Sequence, residues 1–246
     1  MSDAMASPGR HAGRVVMVSG ASRGIGAAIA RRLFDDGYTL SLGLRRPEAF
    51  ALPGLAGSPR VHLSAYDASE RDAGERWTAE TLARFGRLDA LVNNAGTLLE
   101  MAFDSDPEEA ALDTMWEVNV KAPLRLLRAT LPALKLAGDG RVVNVASTDG
   151  KRYRPTVSIG YSMTKHALMA LTHAARFDGW AHGVRATALC PGAVDTELIA
   201  NLPGVTPAAE RLRPETVADA VAFVLGLPNN AVVAELVLNT RLEASL

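Results

Sequence analysis

Short apolar runs alternate with longer helical patterns along most of the chain. The run at 15–18 is continuously apolar and ends in a glycine-rich turn, which is typical of a strand covered on both faces. Beyond this run, Ile25, Ile29 and Leu33 recur every four residues, as on one face of a helix. The pattern repeats and predicts seven strands, at residues 15–18, 39–44, 61–63, 90–92, 141–145, 185–190 and 232–238.

Helices are predicted between these runs. The first is the helix that contains Ile25, Ile29 and Leu33. The clearest helical segments after it are 68–85, 107–136, 158–182 and 214–225. Pro123 and Pro132 fall inside the second of these segments and are predicted to kink or divide it. Strand–helix alternation of this kind predicts an α/β fold: a Rossmann-type, doubly wound parallel sheet of seven strands with helices on both faces.

The domain organisation follows from the same pattern. Residues 14–246 contain no repeat or linker and are predicted to form a single domain. Residues 1–13 are small and polar, and we expect them to be a flexible lead-in. The segment at about 197–213 is too long for a routine connection, which favours a substrate loop.

The composition narrows the classes of function. The formal net charge is -1, so no basic field favours nucleic acid or a membrane as a partner. The single cysteine excludes a disulfide framework. His62, His166 and His182 lack the spacing of metal ligands, and no metal is predicted. Because the chain has no signal peptide and no run of about 18 apolar residues, we expect a cytoplasmic protein.

The turn after the first strand has the composition of a phosphate-binding turn. Gly20, Gly24 and Gly26 allow a sharp turn between a buried strand and a helix, and they allow a pyrophosphate to approach the backbone. The helix that follows offers free N–H groups and a partial positive charge. The alternative is a tight turn without a ligand. The candidate cofactor contacts in this turn are Gly20, Ser22, Arg23, Gly24, Ile25 and Gly26.

Tyr161 and Lys165 form a candidate acid/base pair. They are four positions apart, so on a helix their side chains share one face. A free tyrosine has a pKa of about 10, and a neighbouring ammonium is expected to lower that pKa toward the working pH. Ser147 follows the fifth strand, and its hydroxyl can donate to a carbonyl oxygen. Thr148 is an alternative for that role.

Together these motifs resemble those of the short-chain dehydrogenase/reductase family, in the right order over residues 14–196. The turn is similar to the family's Thr-Gly-x-x-x-Gly-x-Gly, with Ser19 in place of the threonine. Asn-Asn-Ala-Gly follows the fourth strand at residues 93–96, as in the family. The resemblance implies a catalytic tetrad of Asn119, Ser147, Tyr161 and Lys165.

The resemblance also implies the activity. It implies an oxidoreductase that transfers hydride between a nicotinamide cofactor and an alcohol or carbonyl substrate, with Tyr161 as general acid/base. Asn119 would bend its helix and hold a water that links Lys165 to solvent. A homotetramer or homodimer is expected. The further cofactor contacts that the resemblance implies are Asp67, Asn93, Ala95, Gly96, Tyr161, Lys165, Pro191, Gly192, Val194 and Thr196.

The residues after the second strand bear on the choice of dinucleotide. Arg45 and Arg46 stand where an NAD-binding site carries an acidic residue. An arginine fork can bind a 2′-phosphate, and Arg23 would add a second positive group. NADP(H) is therefore the predicted cofactor, with NAD(H) as the alternative. Asp67 resembles the family's adenine-contacting aspartate, and its alternative role is to form a turn.

Two alternatives stay open. A catalytically quiet NADP-binding regulatory or scaffold protein on the same fold is the second function, although the complete tetrad argues against it. The substrate is also open, because the predicted pocket has both apolar and polar candidates. The apolar ones are Leu98, Leu99, Val157, Leu198 and Ile199, and the polar ones are Arg152, Tyr153 and Arg154.

Overall fold

All seven predicted strands are present in the computed structural model, which describes residues 11–105, 109–154, 158–202 and 204–240. The strands are β1 (Val15–Ser19), β2 (Thr39–Leu44), β3 (Val61–Ala65), β4 (Ala90–Asn93), β5 (Arg141–Val145), β6 (Arg185–Pro191) and β7 (Glu235–Leu238). They form one sheet in the order β3-β2-β1-β4-β5-β6-β7, and every neighbouring pair is parallel.

Helices cover both faces of this sheet. They are α1 (Gly24–Asp35), α2 (Ala73–Phe85), α3 (Ala110–Trp116), α4 (Ala122–Ala137), α5 (Ile159–Gly179) and α6 (Pro214–Leu225). The core on one face includes α1 and α6, and the core on the other includes α2 and α4. The predicted Rossmann-type, doubly wound α/β fold is therefore confirmed. Within the described ranges, no helix has both the length and the apolarity needed to cross a membrane.

The side chains of β1 explain its continuous apolar run. Val16 and Val18 belong to the core beneath α1 and α6, whereas Val15 and Met17 belong to the core beneath α2 and α4. All four are buried. Because successive side chains of a strand point to opposite faces, a strand covered on both faces needs an apolar residue at every position.

Two elements are shorter than predicted. The helix α2 begins at Ala73 rather than at 68, because the backbone N–H of Ser69 donates to Asp67 Oδ1 (2.9 Å) and makes a turn there. The last strand covers Glu235–Leu238 rather than 232–238, since only these residues pair with β6. Of the predicted lead-in, residues 1–10 lie outside the described residues, and residues 11–13 form a turn before β1.

The predicted long helix is divided by a π-helical segment, Glu117–Lys121, between α3 and α4. Its first predicted residues, 107 and 108, lie outside the described part of the chain. The backbone N–H of Ala122 donates to the carbonyl of Glu117, one residue further back than in an α-helix. Pro123 follows directly and has no N–H to offer the carbonyl of Asn119. Pro132, predicted as a second break, lies inside α4, which continues because its buried face stays packed against α2.

The strand order reverses between β1 and β4, and this reversal positions the site. From β1 the chain proceeds outward to β2 and β3, and then returns to the other side of β1 to begin β4. The connections after β1 and β4 therefore leave the sheet in opposite directions, which opens a crevice at the carboxyl ends of these strands. Open α/β sheets bind ligands at such a point.

We expect that Trp77→Ala will lower the free energy of unfolding by about 3–5 kcal/mol, because it opens a cavity in the core. Trp77 is fully buried, its Nε1 donates to Ser41 Oγ (2.8 Å), and its ring fills the space beside Gly43. Urea denaturation followed by circular dichroism measures the change. Phe177→Ala is the control, because Phe177 is 77% exposed. Equal stability losses in the two variants would contradict this account of the core.

Candidate active site

A cavity of about 560 Å³ opens at the carboxyl edge of the sheet. This volume lies in the range of small-molecule and cofactor sites. Among the predicted site residues, three do not line the cavity: Arg46, Asn93 and Asn119. The predicted site residues that line it are Gly20, Ser22, Arg23, Gly24, Ile25, Gly26, Arg45, Asp67, Ala95, Gly96, Ser147, Tyr161, Lys165, Pro191, Gly192, Val194 and Thr196.

The glycine turn joins β1 to α1 in a conformation that needs glycine. Gly20 and Gly24 have φ angles of +69° and +54°, which residues with a Cβ rarely adopt. A Cβ on Gly26 would lie 2.2 Å from the carbonyl oxygen of Gly20. Because no acidic residue occupies the first turn of α1, the positive end of this helix faces the cavity without a local counter-charge.

Ser19 binds this turn to the one after β4. Its Oγ accepts hydrogen bonds from the backbone N–H groups of Asn94 and Ala95, both at 3.0 Å. The Asn94 side chain donates back to the carbonyls of Ser19 (3.0 Å) and Gly20 (3.2 Å). Asn94 also lines the cavity. The family resemblance implied a backbone contact for residues 93–96, but the sequence did not predict these hydrogen bonds of the Asn94 side chain.

Asn93, which was predicted to contact the cofactor, lies behind the cavity wall. It is the last residue of β4, and its Nδ2 donates to Asn144 Oδ1 on β5 (2.8 Å). Asn144 in turn donates to Thr172 Oγ1 on α5 (2.8 Å). Side chains alternate along a strand, and the alternation explains the difference: Asn93 points into the interior and Asn94 reaches the cavity.

The positive groups around the cavity are not equivalent. Arg45 lines it, whereas Arg46 is exposed and stands outside it, before the 3-10 turn at Pro47–Ala49. Arg23 lines the cavity but is paired with Glu197, which belongs to the predicted substrate loop. That pairing offsets part of the positive charge expected of the glycine turn.

Asp67 forms a turn, because its Oδ1 accepts hydrogen bonds from the Ser69 backbone N–H (2.9 Å) and Ser69 Oγ (2.7 Å). It also lines the cavity, and its contact with the adenine stays a prediction. These hydrogen bonds from Ser69, and then the charge of Arg45, lower the pKa of the Asp67 carboxyl.

Tyr161 and Lys165 lie on one face of α5, both buried against the cavity. The Lys165 Nζ is 5.4 Å from the centroid of the Tyr161 ring and donates to the Val145 carbonyl (2.9 Å). Ser158 caps this helix, since its Oγ accepts from the Tyr161 backbone N–H (3.3 Å). The pair therefore sits in the first turns of a capped helix, beside the end of β5.

The sequence predicts that Lys165 lowers the pKa of the Tyr161 phenol. This prediction is wrong for the pKa that the protein's own groups produce, which is raised. Burial raises the pKa of Tyr161, the charge of Asp149 raises it further, and a hydrogen bond with Ser147 offsets only part of the rise. Burial also lowers the pKa of Lys165 to about 8. In this site the loss of solvation is the largest influence on the protonation of both groups.

Ser147, rather than Thr148, faces the cavity. Ser147 lines it beside Tyr161, whereas Thr148 is fully buried and does not reach it. The Ser147 Oγ accepts from the Asp149 backbone N–H (3.0 Å) and donates to Asp149 Oδ2 (3.2 Å). Asp149 is a site residue that the sequence analysis missed. Its position two residues past Ser147, at the carboxyl end of a strand, was the available signal.

Asn119 lies in the π segment and holds the loop that follows β4. Its Oδ1 accepts from the Thr97 backbone N–H (2.8 Å), and its Nδ2 donates to the Thr97 carbonyl (2.8 Å) and to Thr164 Oγ1 (3.1 Å). A Cβ on Gly96 would lie 3.3 Å from Asn119 Oδ1 and 3.7 Å from Lys165 Nζ. Asn119 is therefore one layer behind the cavity, next to Lys165.

Residues of the predicted substrate loop line the cavity. The base of this loop is closed by the pairing of Val194 with Leu212, and between them lie two 3-10 turns, Glu197–Ile199 and Ala208–Glu210. Of the pocket candidates, Leu99, Arg152 and Tyr153 do not line the cavity, and Val157 lies outside the described residues. The candidates that line it are Leu98, Leu198, Ile199 and Arg154.

Comparison with known proteins assigns the family. The short chain dehydrogenase family model matches residues 14–204. The chain belongs to this family. An agropine synthesis reductase from Rhizobium rhizogenes is 38% identical over 223 residues, which are 91% of this chain and 51% of that protein. The chain thus spans about half the length of the agropine synthesis reductases that it matches.

Solved structures of the short-chain dehydrogenase family superpose closely. One is an alcohol dehydrogenase from the archaeon Thermococcus sibiricus complexed with 5-hydroxy-NADP, with a TM-score of 0.83 and 36% identity, covering 94% of this chain and 99% of that chain. Another is a 3-ketoacyl-(acyl-carrier-protein) reductase from Brucella melitensis complexed with NADH, with a TM-score of 0.80 and 26% identity, covering 92% and 97%.

Ser19→Ala is expected to lower the free energy of unfolding by about 1–3 kcal/mol, because two backbone N–H groups lose their acceptor. Ser19→Thr keeps a hydroxyl and serves as the matched control, expected to retain most of the stability. Urea denaturation of both variants measures the difference. If the alanine and threonine variants unfold at the same urea concentration, the hydroxyl does not hold the two turns together.

Proposed function

We propose that this chain is an NADP(H)-dependent oxidoreductase that interconverts an alcohol and a carbonyl compound, with Tyr161 as general acid/base. The observation that carries the proposal is that Ser147, Tyr161 and Lys165 line the same cavity as the glycine turn. A site with these two parts can hold a dinucleotide and a small substrate side by side. The related structures complexed with 5-hydroxy-NADP and with NADH support a nicotinamide cofactor.

The cavity fits such a cofactor. The glycine turn leaves the backbone bare where a Cβ on Gly26 would collide with Gly20, and bare backbone next to a helix N-terminus suits a pyrophosphate. Arg45 would bind the 2′-phosphate and Asp67 the adenine. Lys165 would bind the nicotinamide ribose. The residues that would border the nicotinamide are Gly192, Val194 and Thr196.

The chain's own residues supply the proton for the substrate carbonyl oxygen, and they orient that oxygen. When bound, the reduced nicotinamide supplies hydride to the carbonyl carbon. Tyr161 donates its phenolic proton to the carbonyl oxygen, so that the product is an alcohol, and Tyr161 then regains a proton from solvent. In the structure the Ser147 hydroxyl donates to Asp149 Oδ2, and on substrate binding it would turn this proton to the same oxygen and orient it. Asn119 holds the loop at Thr97 beside Lys165, on the proposed route of the returning proton.

The remaining parts of the proposal concern the whole protein. We propose a single catalytic domain over residues 14–246 that acts in the cytoplasm on a small-molecule substrate. A homotetramer or homodimer stays a prediction, and so does the absence of a nucleic-acid partner. A turnover assay decides between the enzyme and the catalytically quiet regulatory protein. If the protein binds NADPH tightly but oxidises it with none of a broad panel of aldehydes and ketones, the regulatory protein is favoured.

Tyr161→Phe is expected to reduce turnover by about 10²–10⁴-fold or more, because the proton donor is lost. Binding of NADPH should be retained, since the phenyl ring still fills the same space. NADPH oxidation followed by absorbance measures turnover, and calorimetry measures binding. Tyr153→Phe is the matched control, because Tyr153 is 52% exposed and does not line the cavity. Normal turnover by the Tyr161 variant would exclude the mechanism.

Arg45→Ala is expected to raise the KM for NADPH about tenfold, because a charged hydrogen bond to a phosphate contributes about 1.5–3 kcal/mol. The KM for NADH should change little. Arg46→Ala is the control, because Arg46 does not line the cavity and its loss should have a smaller effect. Parallel changes in both KM values would show that Arg45 does not distinguish the two dinucleotides.

A further inference from the structure

We infer that Asp149 is a positioning residue of this site, which holds the Ser147 hydroxyl and keeps Tyr161 in its neutral, proton-donating form, so that the site favours carbonyl reduction. The inference rests on the proposed function and goes beyond it, because it assigns a role to a residue outside the tetrad and a preferred direction to the reaction.

Local packing places Asp149 at the helix that carries Tyr161 and Lys165. It lies in the 3-10 turn Thr148–Gly150, which follows β5 and packs against α5. A Cβ on Gly150 would lie 2.8 Å from the Lys165 carbonyl oxygen, so glycine allows this turn to approach the helix at Lys165. Asp149 is 6% exposed and lines the cavity together with Ser147 and Tyr161.

The two carboxylate oxygens of Asp149 have different surroundings. Oδ2 accepts the hydrogen bond from Ser147 Oγ (3.2 Å), while the Asp149 backbone N–H donates to the same hydroxyl (3.0 Å). Oδ1 is buried and lies 3.5 Å from Arg154 Nε, and it accepts no hydrogen bond from the residues that the structure describes. The carboxylate and the backbone N–H of Asp149 therefore fix the Ser147 hydroxyl together, while the ion pair with Arg154 offsets part of the carboxylate charge.

The charge of Asp149 acts on both members of the Tyr161–Lys165 pair. It raises the pKa of Tyr161 in addition to the rise that burial causes. It also raises the pKa of Lys165, against the larger fall that burial causes. Burial raises the pKa of the nearby Cys190 thiol to about 11, so that thiol stays neutral at physiological pH.

Among the described residues, the other acidic residues that line the cavity are Asp67, whose pKa is lowered by the hydrogen bonds from Ser69 and then by the charge of Arg45, and Glu197, which pairs with Arg23. Glu235 on β7 is paired with Lys151 and His173, and Glu117 in the π segment is paired with Lys121 and Arg125. The charged and titratable groups on Tyr161's own helix and on the elements packed around it include Asp149, Lys151, Arg154, Lys165, His166, His173, Cys190, Glu235, Asp113, Glu117 and Lys121.

The consequence differs between the two directions of the reaction. Reduction needs the phenol, and a nearby carboxylate keeps the phenol protonated over a wide pH range. Oxidation needs the phenolate, which the same carboxylate disfavours. The chain should therefore reduce carbonyl compounds at neutral pH and oxidise alcohols efficiently only in alkaline solution.

The test is the pH dependence of kcat/KM for alcohol oxidation in Asp149→Asn. The asparagine keeps an acceptor for the Ser147 hydroxyl and removes the charge, so the midpoint of the profile should fall by about one pH unit or more. Because Tyr161 and Lys165 titrate together, this midpoint belongs to the pair. Asp178→Asn is the matched control, since Asp178 is exposed and pairs with Lys135, and its profile should match that of the wild type.

A second variant has the opposite expected sign. Arg154→Gln removes the cation that offsets Asp149, so the midpoint should rise instead of falling. Opposite shifts in the two variants cannot come from a general loss of structure. Asp149→Ala removes the acceptor as well as the charge, and it should lower kcat for reduction below that of Asp149→Asn, because Ser147 loses its fixed orientation.

A direct measurement of the protonation state of Tyr161 tests this inference separately from the proposed function. The ultraviolet absorbance of tyrosinate is followed against pH in the wild type and in Asp149→Asn. The same titration is repeated with Tyr161→Phe added to each protein. Subtracting the curve with Tyr161→Phe from the curve without it leaves the titration of Tyr161 alone. Its titration should begin at a lower pH in Asp149→Asn. This readout needs no substrate, so inactivity toward every substrate would overturn the proposed function alone. Superimposable tyrosinate titrations would overturn the role of Asp149.

Discussion

The cavity depends on the hydroxyl of Ser19, which binds two turns across the point where the strand order reverses. These turns leave the paired strands β1 and β4 in opposite directions, so that beyond the strand ends side chains must link them. Ser19 accepts from the backbone of Asn94 and Ala95, and the Asn94 side chain donates back to the glycine turn. The floor of the crevice is therefore rigid, and the bare backbone at Gly26 keeps its shape for an anionic ligand.

The other end of the cavity is governed by charge in a poorly solvated place. Lys165 and Asp149 carry opposite charges, and both are buried beside the cavity that Tyr161 lines. Burial raises the pKa of Tyr161, the charge of Asp149 raises it further, and the hydrogen bond with Ser147 offsets part of the rise. The protein's own groups therefore favour the neutral phenol.

The sequence predicts the sheet, the glycine turn and the Tyr161–Lys165 pair because each is a local pattern with a fixed period or spacing. It does not predict which of two adjacent asparagines faces the ligand, since that depends on where β4 ends. It also gives the wrong direction for the pKa of Tyr161, because burial is a property of the assembled fold. The break in the long helix falls at the π segment, where only the family resemblance pointed to Asn119.

The two walls of the cavity differ in how their backbones are held. One wall is the edge of a seven-stranded sheet, whose amides take part in continuous ladders. The other is the substrate loop, which is fastened at its base by Val194 and Leu212 and otherwise has two short 3-10 turns among its described residues. Local opening of such a segment requires much less free energy than global unfolding. Amide hydrogen exchange is therefore expected to be faster in this loop than in the strands of the sheet, so that the cavity can open at the loop while the core stays closed.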